Sequence, residues 1–469
     1  MIKRFLVSII LCALCAFVVY PEDKAGPPAD RIKDLIKQLG NDDWQTRENA
    51  QKALEEIGEP AEAALTEATK SPDPEVRHRA LVILNPLIMK KRVKFSDGLL
   101  QSFPNIYNDL AASDTAGKFK LLQKVTARNE HNGYHYKYNI TNQDIANLVG
   151  EVLLEGGKGL TTDDKKAIME IVTQDTPIPE AAPHIMKLLT DDASRIRNEA
   201  IETLGKLGAR EAIPEIRKLL DSHDKATIAN AVSALGILGD KESIPFIMDL
   251  LSDLTENSIK AAAAGAVGKL GIKKAVPQLI KLLGDENSNV CMSDARALGD
   301  LEATEAIPEL MKIYKGADYS RQYSIGEAIA KLVTKETLPQ IMKLAKEAGI
   351  AKNITYSLSR GINQLGIEKA LPELIPLLKD EDEDTRWTAN KALGSLISIK
   401  GIPELVKLLK HENAEVRGFV AIELVELCQK DRIPKEVIED IKLIEKWGGS
   451  YESRARSVLK ELGAEEKNK

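Results

Sequence analysis

Apolar residues recur at every third or fourth position along most of the chain, which is the spacing of one face of an α-helix. No segment alternates apolar and polar residues as a half-buried strand would. Between Pro183 and Pro434, prolines in the context apolar–Pro–polar–apolar recur at intervals of 31 to 33 residues. Proline fits the first turn of a helix, where its missing N–H is not needed. The pattern therefore predicts a repeated unit that opens with a short helix.

Each unit continues with a polar turn and a second amphipathic helix. The units that begin at Ile213 and Ile402 read IPEIRKLLDSHDKATIANAVSALGILGDKES and IPELVKLLKHENAEVRGFVAIELVELCQKDR. The second helix is predicted to end at a Leu-Gly pair, where glycine forms a left-handed cap. Two short helices cannot bury their apolar faces alone, so successive pairs must stack. The predicted fold is all-α, an α-solenoid of stacked helical hairpins with a period of about 31 residues.

The predicted domain organisation follows the regularity of this repeat. It comprises two repeats at 29–90, a divergent helical region at 91–178, eight regular repeats at 179–433, and capping helices with a tail at 434–469. Within the divergent region, two helices are opened by Thr141 or Asn142 and by Thr161 or Thr162 as N-caps. We interpret the region as one or two degenerate repeats with longer loops, and a hinge is the alternative.

The repeated residues resemble the HEAT repeat family, in particular the bacterial type named after phycobilisome lyases. The resemblance is strong over 183–433, and two further units at 31–58 and 60–84 share it. It implies a solenoid whose second helices form a concave face that binds another protein. The family name also points to bilin lyases, so a lyase-like enzyme subunit is the alternative function. Those lyases act inside the cell as paired subunits, which disagrees with the export signal described next.

The first twenty residues, MIKRFLVSIILCALCAFVVY, have a basic start and a long apolar stretch before a polar segment. This is the layout of a secretory signal. Two interpretations stay open for residues 1–20: a cleaved signal peptide, and a retained N-terminal membrane anchor that would make the protein a membrane-tethered adaptor. The predicted location is exported, either periplasmic or extracytoplasmic, with membrane association if the anchor is retained.

Composition excludes several classes of function. With 65 basic and 71 acidic residues the net charge is -6, which gives no general basic footprint for nucleic acid. Aromatic residues make up only 4%, as expected where Leu, Ile, Val and Ala pack between helices. Cys291 and Cys428, the two cysteines outside the N-terminal segment, are predicted to lie four repeats apart and to be unpaired, buried apolar residues.

Charged residues recur at fixed distances before the main apolar residue of each second helix, which we call the reference residue. The reference residues are Leu54, Leu84, Leu204, Leu235, Val267, Leu298, Ile329, Ile362, Leu393 and Leu424. Seven residues earlier stand Arg47, Arg77, Arg197, Arg386 and Arg417, and eleven earlier stand Asp43, Asp73, Asp224, Asp318 and Asp382, with Asn287 and Asn413 in two other repeats. We predict a structural ladder in which turn acids and helix arginines of neighbouring repeats meet, because a planar guanidinium suits partly buried carboxylates. An anion site is the alternative.

Aromatic residues stand six before the reference residue in three consecutive repeats, at Tyr323, Tyr356 and Trp387. A helix turns about 100° per residue, so this position lies about 120° from the reference residue, at the margin of the buried face. In a chain with few aromatics, we interpret the three as a column of stacked binding anchors for a partner protein on the inner surface. Packing between repeats is the alternative.

Candidate catalytic and metal-binding groups are few. His131 and His135 lie near Glu130, but Asn132 and Gly133 interrupt any helix that would align them, so a loop or short hairpin is predicted instead of a metal site. No nucleophile, phosphate-loop or metalloprotease motif is present. The sequence therefore predicts a protein that is not an enzyme and uses no cofactor or metal. Its predicted role is a scaffold or adaptor for another protein, whose identity the residues do not specify.

Two further segments have a structural interpretation. The stretch from Gly156 to Gly159 lacks the preceding strand and the GKS or GKT ending of a phosphate loop, and is predicted to be a flexible turn. The basic run from Lys90 to Lys94 is predicted to be a solvated helix end, since the helix dipole favours positive charge there. Contact of this run with an anionic membrane surface is the alternative.

Overall fold

The structure is a computed structural model that describes residues 29–128, 136–174, 176–252, 255–426, 433–447 and 449–464. Residues 1–20, His131, His135 and Cys428, on which predictions were made, lie outside the described residues. The chain divides into two compact units, unit 1 (Met1–His184) and unit 2 (Ile185–Lys469). Among the described helices, none is both long enough and apolar enough to cross a bilayer. The predicted domain boundaries stay predictions.

Unit 1 contains short helices in pairs followed by less regular ones. Its helices are α1 (Ala29–Gln38), α2 (Trp44–Ile57), α3 (Glu62–Ala68), α4 (Pro74–Arg92), α5 (Asp97–Ser102), α6 (Ile106–Ala112), α7 (Thr115–Val125), α8 (Asn142–Val152) and α9 (Thr162–Thr173), with α10 (Ala182–Ile185) at the unit boundary. Short 3₁₀ turns lie at Glu59–Ala61 and Pro179–Ala181.

Unit 2 alternates first and second helices. The helices are α11 (Ser194–Leu207), α12 (Ile213–Lys218), α13 (Lys225–Leu238), α14 (Ile244–Asp249), α15 (Asn257–Leu270), α16 (Val276–Leu282), α17 (Ser288–Asp300), α18 (Ile307–Gly316), α19 (Tyr319–Lys331), α20 (Leu338–Ala348), α21 (Ala351–Leu365), α22 (Ile367–Leu378), α23 (Glu383–Leu408), α24 (Ala414–Glu426), α25 (Ile438–Glu445) and α26 (Gly449–Glu461). The 3₁₀ turns are Met186–Thr190, Arg210–Ala212, Leu219–Asp221, Lys273–Ala275, Thr304–Ala306 and Lys435–Val437.

The second helices of unit 2 pack side by side in chain order, α11 on α13, α13 on α15, and so on to α23. All ten reference residues are buried, and one apolar core runs through unit 2 from Val232 to Leu459. Across the described ranges the chain forms no β-strand, only an isolated antiparallel bridge between Arg128 and Tyr136. The predicted all-α class and α-solenoid architecture are confirmed, because each helix pair closes its core against the next pair.

Proline opens most first helices, as predicted. Pro214, Pro245 and Pro308 each stand in the first turn of α12, α14 and α18. Two later prolines do not: Pro372 lies inside α22, and Pro403 falls within the 26-residue helix α23. The predicted helix start at these two positions is wrong.

The glycine cap of the second helix is absent from α23. Gly208 and Gly239, four residues after the reference residue, take left-handed backbone angles and end α11 and α13, which confirms the predicted glycine cap. The corresponding residue of α23 is Ile397. A β-branched residue avoids the left-handed region, so the glycine cap is absent there. The missing cap permits continuation but does not force it, because α19 ends at Lys331 although Val333 holds the same position. Ile88 holds the same position in α4, which runs on to Arg92.

In the divergent region, the structure selects Thr141 and Thr161 as the N-caps of α8 and α9. Each threonine hydroxyl accepts a hydrogen bond from the backbone N–H three residues on, and the carboxylate of the aspartate there, Asp144 or Asp164, accepts one from the threonine N–H. The Thr161 hydroxyl and N–H lower the pKa of Asp164. These helices therefore begin where their local sequence predicts.

The basic run ends a helix, as predicted. Lys90, Lys91 and Arg92 form the last turn of α4. Arg92 Nε donates to Glu151 Oε1 at 3.0 Å, and Lys91 pairs with Glu62. Two of these cations are thus held by carboxylates of unit 1.

Candidate binding surface

The five predicted arginines all reach back to the turn before their own helix. The Arg197 guanidinium donates to the carbonyl oxygens of Asp191, at 2.7 Å, and Asp192, at 3.0 Å. The same two contacts join Arg47 to Asn41 and Asp42, Arg77 to Ser71 and Pro72, Arg386 to Asp380 and Glu381, and Arg417 to His411 and Glu412. Each arginine therefore fixes the turn between the two helices of one repeat.

The predicted aspartates are N-caps of the second helices. The Asp43 carboxylate accepts from Thr46 N–H at 2.8 Å, and Asp73 and Asp382 accept from backbone N–H groups of their own first turns. Asp224, Asn287 and Asp318 do the same. The side-chain and backbone hydrogen bonds from Thr46 lower the pKa of Asp43. These residues stabilise helix starts.

The predicted ladder between neighbouring repeats is wrong in its partners. Within the described residues, no hydrogen bond or ion pair joins Arg47, Arg77, Arg197, Arg386 or Arg417 to Asp43, Asp73 or Asp382 of a neighbouring repeat. The physical reason is that carbonyl oxygens of the arginine's own turn already accept hydrogen bonds from each guanidinium. Other acids make the contacts between repeats: Arg47 Nε lies 3.3 Å from Glu75 Oε1, and Arg417 Nε donates to Asp440 at 2.7 Å.

The three predicted aromatic anchors lie on successive second helices of unit 2. Tyr323 on α19 is 52% exposed, Tyr356 on α21 is 72% exposed, and Trp387 on α23 is 41% exposed. Among the described aromatic contacts, none joins these rings to one another. Lys391 Nζ lies 5.8 Å from the centre of the Trp387 ring. The rings are therefore separate exposed groups at one repeat position, and they do not form a stacked column.

Sequence reasoning missed a fourth exposed ring. Tyr319, one helical turn before Tyr323 on α19, is 84% exposed. Tyr319 does not stand six residues before the reference residue, where the other three recur, so the repeat pattern gave no reason to select it. Helix α19 therefore carries two of the four exposed rings.

The three rings belong to a larger exposed surface. We define the second-helix face as the residues six and two before, and two after, the reference residue on α13, α15, α17, α19, α21 and α23. These positions are four residues apart, so they form one ridge along each helix. All of them are exposed or half-buried, while the reference residues between them are buried.

Sequence reasoning also missed the charge of this face. Its cations are Lys269, Arg296, Lys331, Arg360 and Lys391, and its anions are Asp300 and Glu327. Five cations against two anions leave an excess of three positive charges, although the whole chain carries -6. The signal is present in the sequence as positions at fixed distances from the reference residue.

The anions of the face are shared or paired. Asp300 lies 2.5 Å from Lys331 Nζ and 3.6 Å from Lys269 Nζ, while Glu327 pairs with Arg360. Burial opposes ionisation of Asp300, but Lys331 and Lys269 hold the pKa of Asp300 below its usual value. Arg296 is exposed, and among the described contacts it has no carboxylate partner. The face is therefore positive where α15, α17 and α19 lie side by side.

A groove of about 500 Å³ lies on the same helices. Small residues line it, among them Ala229, Ala261 and Gly265, together with Lys269 and Arg296. A Cβ added at Gly265 would meet no atom within 4 Å. The groove therefore exists because side chains there are small.

One buried carboxyl stands apart from this surface. Asp294 on α17 is fully buried, and both its oxygens lack a hydrogen-bond partner among the described residues. Burial and the nearby Asp285 carboxylate raise the pKa of Asp294 to about 8, against the opposing charge of Lys260. Lys260 itself donates to Asp285 at 3.0 Å. Across the described residues, no group of three or more His, Cys, Asp or Glu is arranged to hold a metal ion.

Cys291, on the same helix, is unpaired and buried, as predicted. Burial raises the pKa of the Cys291 thiol. A buried thiol with a raised pKa is mostly protonated, so its packing is that of a small apolar side chain.

Comparison with known proteins gives a family and a fold. A family model described as HEAT repeats matches residues 32–93, 182–259, 251–330 and 351–426, together more than half of the chain. No curated protein matches the chain. Among solved structures, the complex of CpcE and CpcF of phycocyanin lyase from Nostoc sp. PCC7120 is 22% identical, over 46% of this chain and 94% of that chain, with a TM-score of 0.29. The crystal structure of an engineered protein is 19% identical over 92% of this chain and 99% of that chain, with a TM-score of 0.23.

Proposed function

The chain belongs to the HEAT repeat family, and on this premise we propose that it is an exported, non-catalytic scaffold that binds another protein through the second-helix face. A repeat array presents the same position once per repeat, so a favourable residue type becomes an extended row of contacts. One observation carries the proposal: Tyr323, Tyr356 and Trp387 are exposed at one repeat position on successive second helices.

The chemistry of the face is that of an interface. Aromatic residues and arginine are enriched among the residues that dominate the binding energy of protein interfaces, since a rigid ring desolvates a large area and a planar guanidinium forms several hydrogen bonds. Arg296 and Arg360 lie on the same face as the rings. These groups are distributed over four successive second helices, α17, α19, α21 and α23, instead of converging at one point. Such a distribution suits many modest contacts along a partner better than it suits catalysis on a small molecule.

Residues 1–20 support the export part of the proposal through their basic start and apolar stretch. We expect the protein to fractionate outside the cytoplasm, and N-terminal sequencing of that sample to distinguish its two forms. A start after residue 20 corresponds to a cleaved signal, and a start at Met1 in the membrane fraction corresponds to a retained anchor. Recovery of the protein with Met1 in the cytoplasmic fraction would contradict export.

Replacing Tyr323, Tyr356 and Trp387 together by alanine is expected to weaken partner binding at least about tenfold. Truncating an interface aromatic costs on the order of 1 kcal/mol or more, and three such losses exceed the roughly 1.4 kcal/mol of a tenfold change. The rings are exposed, so the fold should survive. The measurement is quantitative affinity capture from the native compartment, with the thermal unfolding midpoint recorded on the same preparations.

The matched control is Phe246→Ala. Phe246 is also an exposed aromatic of unit 2, at 38%, but it lies on the first helix α14 and outside the second-helix face. This control should leave capture unchanged. Undiminished capture by a folded triple variant, or an equal loss with Phe246→Ala, would refute the proposed face.

A further inference from the structure

We propose that the segment held on the second-helix face is an extended, acidic stretch of a partner polypeptide, an inference that rests on the proposed function. The proposal concerns the chemistry of the partner, which neither the family nor the exposed rings specify. It depends on two properties of the face: the sign of its charge, and the distance between residues at the same repeat position on neighbouring helices, which form a row across the helices.

The charge of the face selects an acidic partner. Its five cations exceed its two anions, and both anions are already in contact with cations of the face. Arg296 has no described carboxylate partner, and Asp300 is shared between Lys269 and Lys331. An incoming carboxylate would find unbalanced positive charge at these helices. A basic segment would meet repulsion, since like charges across an interface reduce affinity and association rate.

The spacing of the rows selects an extended partner. Packed helices lie about 8–10 Å apart, so residues at one repeat position recur at about that distance on neighbouring second helices. A chain in the extended polyproline II conformation advances about 3.1 Å per residue with three residues per turn, so three of its residues span one repeat and every third side chain lies on the same side. A segment crossing the helices would bring every third side chain to the same row. Carboxylates at that interval meet the cations, and apolar side chains between them meet the rings.

The groove provides room for such side chains. It lies across α13, α15 and α17, beside Arg296, and its lining includes Ala229, Ala261 and Gly265. Because a Cβ at Gly265 would enter open space, a larger side chain there would fill the groove without displacing a neighbour. The groove can therefore be closed experimentally while the fold is retained.

The probe is a fluorescein-labelled peptide in which Glu-Leu-Ser is repeated over about twelve residues, long enough to cross about four repeats at about 3.1 Å per residue in the polyproline II conformation. Its matched forms carry Gln or Lys in place of Glu. We expect the Glu peptide to bind the full-length protein about tenfold more tightly than the Gln form in fluorescence anisotropy, since several exposed charge contacts of about 0.2–1 kcal/mol each add to about that ratio. The preference should shrink with added salt, because charges are screened beyond about 10 Å at about 0.1 M. The Lys form should not bind.

Two variants test the location. Arg296→Glu reverses a cation of the face, and Gly265→Leu fills the groove, so each should weaken binding of the Glu peptide severalfold. Lys343→Glu is the control for charge: Lys343 is exposed on the first helix α20, beside Glu347, and its reversal changes the net charge equally. Binding of the Glu peptide should be unaffected by this control.

The outcomes separate this inference from the proposed function. Absence of binding by the Glu peptide, equal binding of the Glu and Gln peptides, or equal effects of Arg296→Glu and Lys343→Glu would overturn the acidic, extended partner. Those results would leave the proposed face intact if the triple aromatic variant still loses capture. Loss of Glu-peptide binding in Arg296→Glu and in Gly265→Leu, with binding retained in Lys343→Glu, would support the inference.

Discussion

Replacing Gly236 by alanine is expected to lower the free energy of unfolding of unit 2 by about 1–3 kcal/mol, the usual cost of overpacking a close contact. Helices α13 and α15 approach so closely that a Cβ at Gly236 would lie 2.6 Å from both Cα and Cβ of Ala266. Part of this obstacle is backbone, so the helix as a whole must move. The measurement is urea unfolding followed by far-ultraviolet circular dichroism, in which the midpoint should fall.

The control is Gly265→Ala, on the adjacent second helix. A Cβ at Gly265 meets no atom within 4 Å, so only the intrinsic helix preference changes. Alanine is favoured over glycine inside a helix by about 0.5–1 kcal/mol, and this variant should therefore be more stable than the parent. The two substitutions are chemically identical and should shift the midpoint in opposite directions. A shift of both in the same direction would show that α13 and α15 are not in this close contact.

The Gly236 contact is one of a series. A glycine directly after the reference residue faces an alanine directly before the next reference residue: Gly205 faces Ala234, Gly268 faces Ala297 and Gly299 faces Ala328. The second helices α11, α13 and α15 each have two pairs of an apolar residue followed by glycine, and only the second pair, Leu-Gly, forms the predicted cap. The first pair spaces neighbouring helices. A single repeat could not reveal this role, because the partner residue lies in the next repeat.

The features that were predictable from sequence depend on local forces. The helix period, the prolines of most first helices and the N-caps at Thr141 and Thr161 are decided within a few residues of chain. The failures concern competition between partners. Arg197 could reach either its own turn or a neighbouring acid, and residue type and spacing alone do not say which is closer. Helix α23 continues past its predicted end, where Ile397 replaces the capping glycine, but Val333 at the same position of α19 is not followed by such a continuation.

The candidate surface was predictable only where one residue type repeats. Tyr323, Tyr356 and Trp387 share a chemical class at one position, so the aromatic row was visible without coordinates. The cations occupy two positions, which in other repeats hold Ser, Gly, Ile, Gln, Asp or Glu, so the excess charge is not evident from the sequence of any single repeat. The exposure of the rows, seen in the structure, was needed to group them.

Asp294 interrupts a column that is otherwise apolar. Four residues before the reference residue, the other repeats carry Ala50, Ala80, Ala200, Ala231, Ala263, Ile325, Leu358, Ala389 and Val420, all of them buried. Aligning the repeats would have found this exception in the sequence. Burial of Asp294 without a hydrogen-bond partner disfavours its charged form, which is the physical cause of its raised pKa.

Asp294→Ala restores the residue type of the other repeats and is expected to stabilise unit 2 by at least about 2 kcal/mol near pH 8, since an unpartnered buried polar group costs about 1–3 kcal/mol and more when charged. The pKa of Asp294 is about 8 in the folded chain and 3.8 as its ordinary value. Between these values the folded chain holds a proton that the unfolded chain has lost, so this group's contribution to stability decreases as pH rises from about 4 to about 8.

The advantage of Asp294→Ala over the parent should therefore be smallest near pH 4 and grow towards pH 8. Comparing the two proteins removes the pH dependence of groups that they share, including Asp285 and Lys260, which face Asp294. Asp294→Asn keeps the shape of the side chain but cannot ionise, so it should show the same dependence on pH with a smaller overall gain. Urea midpoints measured at intervals from pH 4 to pH 8 test this, and parallel curves for parent and variants would mean that Asp294 is not buried in its neutral form. A difference in urea midpoint between variant and parent that grows with pH would mean that one titrating carboxyl lies in the core of the repeat array, at the position where every other repeat has an apolar residue.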